Sequence, residues 1–204
     1  MSAPREKELK YRIPDFESYS RLIRAKDLGV VGPPFSQENH YFDSHDLRLL
    51  RARAMFRLRR TDRLVLGFKL GGETRETAGY FDFLEVEEAV PPETLDAALA
   101  SPSTLLESSY APALAVLKRF GRVALDYLGC LLNERRCIEG PYRLEIDRMQ
   151  FSDGAESYQV EIETDDPEGA SRWVDAEMRD RGIAATPHHK TKLEEFLEHR
   201  SARP

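Results

Sequence analysis

The sequence predicts an α+β protein whose eight or nine strands can close into an antiparallel barrel with a charged interior and helices packed outside. Three observations lead there. Several short segments alternate strictly between apolar and charged residues, the two-residue period of a strand with unlike faces. Other segments space apolar residues as a helix does, so they can cover the apolar faces of those strands. The charged faces carry both signs. A closed barrel would gather them inside, whereas an open sheet would splay them into water.

The elements follow in order. EKELKYRI (6–13) is the first strand, with Leu9, Tyr11 and Ile13 on one face and Glu6, Glu8, Lys10 and Arg12 on the other. Residues 14–29 have a helical stripe of Phe16, Tyr19, Leu22 and Ile23, with Pro14 and Asp15 at the start and Gly29 at the stop. GPPF (32–35) is a turn and ENHYFDS (38–44) a strand. After a short connection, MFRLRR (55–60) and RLVLGFKL (63–70) form a hairpin turning at Thr61 and Asp62. GGETRETAG (71–79) is a loop, and YFDFLEVEEAV (80–90) the next strand. Residues 91–109 and 112–120 are helical, broken by Pro102 and Pro112. Strands resume at 122–128, 130–138, 141–151 and 157–164, with a turn at 152–156. Asp166 caps and Pro167 opens a helix over 166–182, and residues 189–200 form a terminal helix. No repeat, low-complexity tract or long linker divides the chain, so residues 1–204 read as a single domain.

Composition narrows the function. The chain has 41% hydrophobic and 32% charged residues and a net charge of −6, which argues against a general nucleic-acid binder. No apolar run approaches the ~18 residues of a membrane span. MSAPREKELK lacks the apolar core of a secretory signal, and Cys130 and Cys137 form no metal or redox motif, so a cytoplasmic setting with free thiols is expected. His40 and His45 have no histidine partner at ligand spacing, which argues against zinc. His188 and His189 read as surface residues and Trp173 as core.

Taken alone, the charged face of the first strand reads as wetted. The division recurs, however. Arg57 and Arg59 oppose Phe56 and Leu58. Lys69 opposes Phe68 and Leu70. Glu85 and Glu87 oppose Leu84 and Val86. Arg143, Glu145 and Asp147 oppose Leu144 and Ile146, and Gln159, Glu161 and Glu163 oppose Tyr158, Val160 and Ile162. A barrel interior holding roughly a dozen ionic groups is untenable unless the signs balance, water enters or ligands bind. A metal–polyphosphate ligand suits such a lining. Carboxylates take hard divalent cations, and guanidinium forks and lysines take phosphate oxygens.

These residues resemble the signature of the CYTH domain, the triphosphate tunnel metalloenzyme family, over nearly the whole chain. E-x-E-x-K appears as Glu6, Glu8 and Lys10, and the YFDT-type segment as Tyr41-Phe42-Asp43-Ser44, with serine in place of the usual threonine. R-x-R is Arg57 and Arg59, followed by Lys69, and the first E-x-E strand is Glu85 and Glu87. The later arginine fits Arg135, with Arg136 as rival, although the aromatic residue that often follows it is missing from NERRCI. Ile146-Asp147-Arg148 matches I-D-R, and Glu161 and Glu163 the second E-x-E. The C-terminal lysine fits Lys192, with Lys190 as rival.

The resemblance implies an eight-stranded tunnel that binds a triphosphate with a divalent metal, Mg²⁺ or Mn²⁺. Lys10, Arg57, Arg59, Lys69, Arg135 and Lys192 would bind the phosphate chain. Glu6, Glu8, Asp147, Glu161 and Glu163 would hold metal, with Glu8 or Glu163 as the base that orients water. Glu85 and Glu87 would support the cations. Family activities divide among hydrolysis of inorganic tripolyphosphate, hydrolysis of thiamine triphosphate and cyclisation of ATP to cyclic AMP. Family breadth puts tripolyphosphate hydrolysis first and cyclisation second. A polyphosphate- or nucleotide-binding module without turnover is the non-enzyme alternative; five inward acids argue against it, because a pure anion binder gains little from them. The expected partner is a small triphosphate, not nucleic acid or membrane, and a homodimer is compatible with the resemblance.

Overall fold

The computed structural model describes residues 5–72 and 79–201. Residues 73–78, most of the loop expected at 71–79, and residues 1–4 of the N-terminal stretch lie outside the described residues. In chain order the elements are β1 (Arg5–Ile13), α1 (Phe16–Leu22), β2 (Val30–Val31), β3 (Phe35–Asp43), α2 (Arg48–Arg51), β4 (Ala54–Arg60), β5 (Leu64–Gly71) and β6 (Tyr80–Val90). There follow α3 (Glu93–Ala100), α4 (Ala111–Phe120), β7 (Asp126–Glu139), β8 (Leu144–Gln150), β9 (Glu156–Glu163), α5 (Pro167–Asp180), β10 (Thr186–Pro187) and α6 (Lys192–Ser201). Short 3-10 helices occupy Lys26–Leu28 and Pro102–Glu107. The strands form one sheet in the order β10-β1-β6-β5-β4-β3-β7-β8-β9; β1 also pairs with β9, and β2 with β7. Eight strands are thereby joined in a ring of pairings. None of the described helices is long and apolar enough to cross a membrane.

The chain divides into two compact units, each with its own core. Among the described residues the first comprises Arg5, Gln37–Gly72 and Phe83–Leu131. There the antiparallel ladders β3–β4, β4–β5 and β5–β6 present Phe42, Phe56, Leu58, Leu66 and Phe68 to one side. Leu95 and Ala98 of α3 and Ala113, Val116 and Phe120 of α4 pack onto them. In α4 these positions fall at helical spacing on one stripe, Pro112 sits in the first turn, and Gly121, at φ 73, ends the helix.

The second unit comprises Glu6–Ser36, residues 79–82 and the chain from residue 132 on. Its ladders β7–β8, β8–β9 and β9–β1 turn Ile138, Leu144, Ile146, Val160, Ile162, Leu9, Tyr11 and Ile13 to one side. Tyr19 and Leu22 of α1 and Ala170, Val174 and Met178 of α5 cover them. Both helices start on aspartate caps. Asp15 accepts from the Ser18 amide at 2.7 Å, and Asp166 from the Gly169 amide at 3.0 Å. Glycine is needed at Gly79, at φ 78, where its carbonyl receives the Lys10 amide at 2.8 Å and a Cβ would come within 2.5 Å of the Lys10 carbonyl oxygen.

Several elements differ from the sequence reading, among them the short strands β2 and β10, which it did not contain. Residues 122–128 and 130–138 are not two strands. One strand runs over Asp126–Glu139 and passes through Gly129 at φ 131, so the apparent breaker lies inside it. The helix expected over 14–29 stops at Leu22, and Lys26–Leu28 continues as a 3-10 turn. Phe35, read as part of a turn, begins β3. The connection before β4 contains the one-turn helix α2, flanked by Leu47 at φ 54 and Arg53 at φ 59.

Candidate functional site

In the second unit, strand register assembles two rows of polar side chains. Lys10 stands across from Glu161, and Glu161 across from Glu145. Arg135 stands across from Asp147, and Asp147 across from Gln159. Cross-strand neighbours on one face touch, and the rows merge into a dense ion-pair network. Arg135 donates through Nε and Nη2 to the two oxygens of Asp147, both at 2.7 Å, and from Nη2 to Glu161 at 2.6 Å. Its Nη1 donates to Glu145. Lys192, at the start of α6, pairs with Asp147 at 2.9 Å and with Glu161. Lys10 lies 3.0 Å from Glu161, 3.4 Å from Glu8 and 4.7 Å above the Phe81 ring. Asn133 donates to Asp147 at 2.8 Å.

Burial sets the electrostatics of this network. Asp147 is 0% exposed and Lys10 3%. Burial pushes the Glu161 carboxyl up, but Lys10, Lys192 and Arg135 outweigh it and hold it well below the usual carboxylate range. Asp147 is held low in the same way, against burial, by Arg135 and Lys192. Burial lowers the Lys10 ammonium, and Glu161 and Glu8 more than reverse that, leaving it raised.

The first unit holds a looser group. Arg57 Nη2 lies 3.4 Å from Glu87 and 3.8 Å from Glu85, and Arg59 Nη1 lies 4.0 Å from Glu87. Lys69 lies 3.3 Å from Glu85 and 5.5 Å from the Phe83 ring centre. Arg57, Gly67 and Glu87 stand in one cross-strand row. A Cβ on Gly67 would come 3.3 Å from the Glu87 carboxylate, so the missing side chain leaves room for the arginine and glutamate to meet over it.

The sequence-predicted residues thus fall into two groups, one in each unit. Lys10, Glu8, Arg135, Asp147, Glu161 and Lys192 meet in the second, and Arg57, Arg59, Lys69, Glu85 and Glu87 in the first. Glu6 is half-buried on β1; Glu163 is exposed at the end of β9, opposite Glu8 in register. Arg135, not its neighbour Arg136, enters the acid network, and Lys192, not Lys190, reaches Asp147; Lys190 pairs with the exposed Glu198. Asp43 of the YFDS segment is a cap, accepting from the amides of Ser44 at 2.7 Å and of Leu49 and Leu50 at 2.9 Å. Trp173 is half-buried against the second core.

His188 corrects the sequence reading, which put it on the surface. It is 7% exposed and lies 3.1 Å from Glu195, which also accepts from Ser157 at 3.3 Å and from Gln159. The His188 amide donates to the Lys10 carbonyl at 2.9 Å. This cluster ties α6, and with it Lys192, to β1 and β9. Strand parity could have suggested Asn133, Glu145 and Gln159 as site residues, since each lies two positions from an assigned one. His188 and Glu195 carry no such signal.

Solved structures of similar fold exist. A protein of Hippeastrum, described as an adenylyl cyclase candidate that reveals a dominant triphosphatase activity, matches with a TM-score of 0.82 at 24% identity, over 95% of each chain. A Bacillus halodurans protein described as an adenylate cyclase candidate matches with a TM-score of 0.75 at 21% identity, over 97% of this chain and 100% of that one. A Pyrococcus horikoshii protein matches with a TM-score of 0.57 at 19% identity, over 95% of this chain and 98% of that one. No curated protein matches the sequence. The likeness shows the fold expected from strand patterning, a closed antiparallel eight-stranded barrel with helices outside. The CYTH domain profile matches residues 4–183, and the chain belongs to the CYTH domain family.

Proposed function

We propose that the chain is a divalent-metal-dependent triphosphatase that hydrolyses inorganic tripolyphosphate. Lys10, Arg57, Arg59, Lys69, Arg135 and Lys192 take the phosphate oxygens, with Glu85 and Glu87 holding the cations of the first unit in place. The observation that supports this reading most is the burial of Lys10, Arg57, Lys69 and Arg135 among the polar groups of the strands. Carboxylates already partner these cations; a polyphosphate with a divalent cation would exchange those contacts, its oxygens meeting the guanidinium forks and the cation the carboxylates.

Glu6, Glu8, Asp147, Glu161 and Glu163 are the proposed metal ligands. Their all-oxygen donor set fits Mg²⁺ or Mn²⁺ in kind. Among the described residues no three His, Cys, Asp or Glu side chains form a ready metal cage; Asp147 and Glu161 are turned to Lys10, Arg135 and Lys192 instead. A bound ion would supply charge neutralisation on phosphate oxygens. Glu8 or Glu163 orients the attacking water and accepts its proton. The reading takes residues 1–204 as one cytoplasmic domain acting on a small triphosphate, with a homodimer as a compatible assembly.

ATP cyclisation is the second reading. It is favoured by the aromatic rings of Phe81 and Phe83, which face Lys10 and Lys69 respectively and offer apolar surface beside an ammonium. Phosphorus NMR on the purified chain separates the two. With Mg²⁺ or Mn²⁺, tripolyphosphate is expected to give orthophosphate and pyrophosphate, and a chelator to stop it. Pyrophosphate with a cyclic phosphodiester from ATP, and no tripolyphosphate turnover, would make the chain a cyclase. Binding shifts without turnover of either would send the test to thiamine triphosphate and then to the binding-module reading.

A further inference from the structure

Asn39 lies on β3 directly across from Arg59 and is 1% exposed. Its Oδ1 accepts from Arg59 Nε at 3.3 Å. A guanidinium only donates, so chemistry sets the amide's orientation: the oxygen faces Arg59 and the NH₂ points away. That Nδ2 has no hydrogen-bond partner among the described residues. Buried polar groups are almost always paired, and a donor left unmade is costly. Arg59 also reaches the other way, its Nη1 lying 4.0 Å from Glu87. Tyr41, two residues along β3 from Asn39, stands across from Arg57. Through Arg59, its partner in register and in the hydrogen bond, the Asn39 side chain stands at the edge of the cationic group of Arg57, Arg59 and Lys69.

We infer that Asn39 is a ligand-binding residue that donates from Nδ2 to an oxygen of the anion taken by Arg59, a phosphate oxygen of the triphosphate. The inference rests on the triphosphate reading and adds a neutral donor to it. A neutral amide gains from an anionic oxygen without adding charge that carboxylates must balance. An acceptor-only side chain at this position would repel the same oxygen.

The test uses the full chain and tripolyphosphate in EDTA, which keeps turnover out of the measurement. Calorimetry is expected to show Asn39→Leu weakening binding about tenfold, the loss of one hydrogen bond to a charged group. The same loss should persist in an Arg59→Ala background, because the donor acts on the ligand and not through Arg59. A loss under about twofold in that background overturns the inference and leaves Asn39 as a mere prop for Arg59. In case the variants fold poorly, the wild-type chain gives a second readout. The Asn39 side-chain NH₂ resonances should shift on saturation with tripolyphosphate, and their standing still while other resonances move overturns the inference alone. No heat and no shift anywhere, in EDTA and again with Mg²⁺ or Mn²⁺ supplied, overturns the triphosphate reading, and this inference with it.

Discussion

The two charged groups are built from the same residue types on the same kind of strand, yet they differ in how their charge is held. In the second unit, Arg135 spends bonds on three carboxylates, and Glu161 is shared among Lys10, Arg135 and Lys192. The contacts to Asp147 cluster near 2.7–2.9 Å, and its side chain is 0% exposed. In the first unit the separations run from 3.3 to 4.0 Å, and the Glu87 side chain is 36% exposed. In a buried ion network, removing any member leaves uncompensated charge. A wetter group holds its cations beside carboxylates that water also reaches, where each pair is worth less. The difference is in how charge is compensated: buried carboxylates neutralise the cations of the second unit at close range, and in the first unit water also reaches the carboxylates.

That comparison can be broken by stability measurements. Glu161→Gln should cost about 3–5 kcal/mol in urea unfolding, the penalty for leaving buried cations without their partner. If it costs no more than a surface substitution, the ion network is not what holds the second unit together.

Kinetics sharpen the contrast. Arg57→Ala should raise KM for tripolyphosphate at least about tenfold, the loss of a charge-assisted hydrogen bond, while shifting the unfolding midpoint little. Arg135→Met should raise KM as well, but with a large loss of stability that Arg57→Ala lacks. Equal stability losses in the two variants would erase the distinction.

Acid should weaken the second unit. Glu161 and Asp147 are held below their ordinary range by their cations, so the unfolded chain takes up protons at higher pH than the folded one. Their stabilisation is complete above about pH 5 and is lost as pH falls through the folded-state values. Thermal unfolding of the wild type should weaken on acidification over that range, and Glu161→Gln should follow a flatter curve. The smallest effect belongs to Glu87→Gln, at under about 1 kcal/mol, and 0.5 M salt should erase it, as for exposed pairs. Persistence in salt would mean that the first group is drier than its exposure indicates.

Much of this was legible beforehand, for a reason visible in particular residues. Leu9, Glu8 and Lys10 occupy faces dictated by a two-residue period, and the structure keeps that parity: Leu9 in the apolar core, Glu8 and Lys10 in the ion network. The same rule placed Arg57, Asp147 and Glu161 correctly. It failed where the chain leaves the period. Nothing in the local pattern of His188 distinguishes a surface histidine from one buried against Glu195, because that contact joins a connecting segment to a helix face. Gly129 looked like a strand break, because glycine's backbone freedom is visible in sequence while the ladder that carries the strand past it is not.

By itself the sequence determined which side chains share a face, where the helices start and that both signs of charge must be accommodated together, since backbone geometry and capping chemistry act over a few residues. Only the tertiary structure decided which cation neutralises which carboxylate. Arg135 over Arg136 follows from the β7–β8 register, and Lys192 over Lys190 from the anchoring of α6 through Glu195 to Ser157 and Gln159. Ion pairing depends on distance and burial between strands far apart in sequence, and those quantities exist only once the strands have paired.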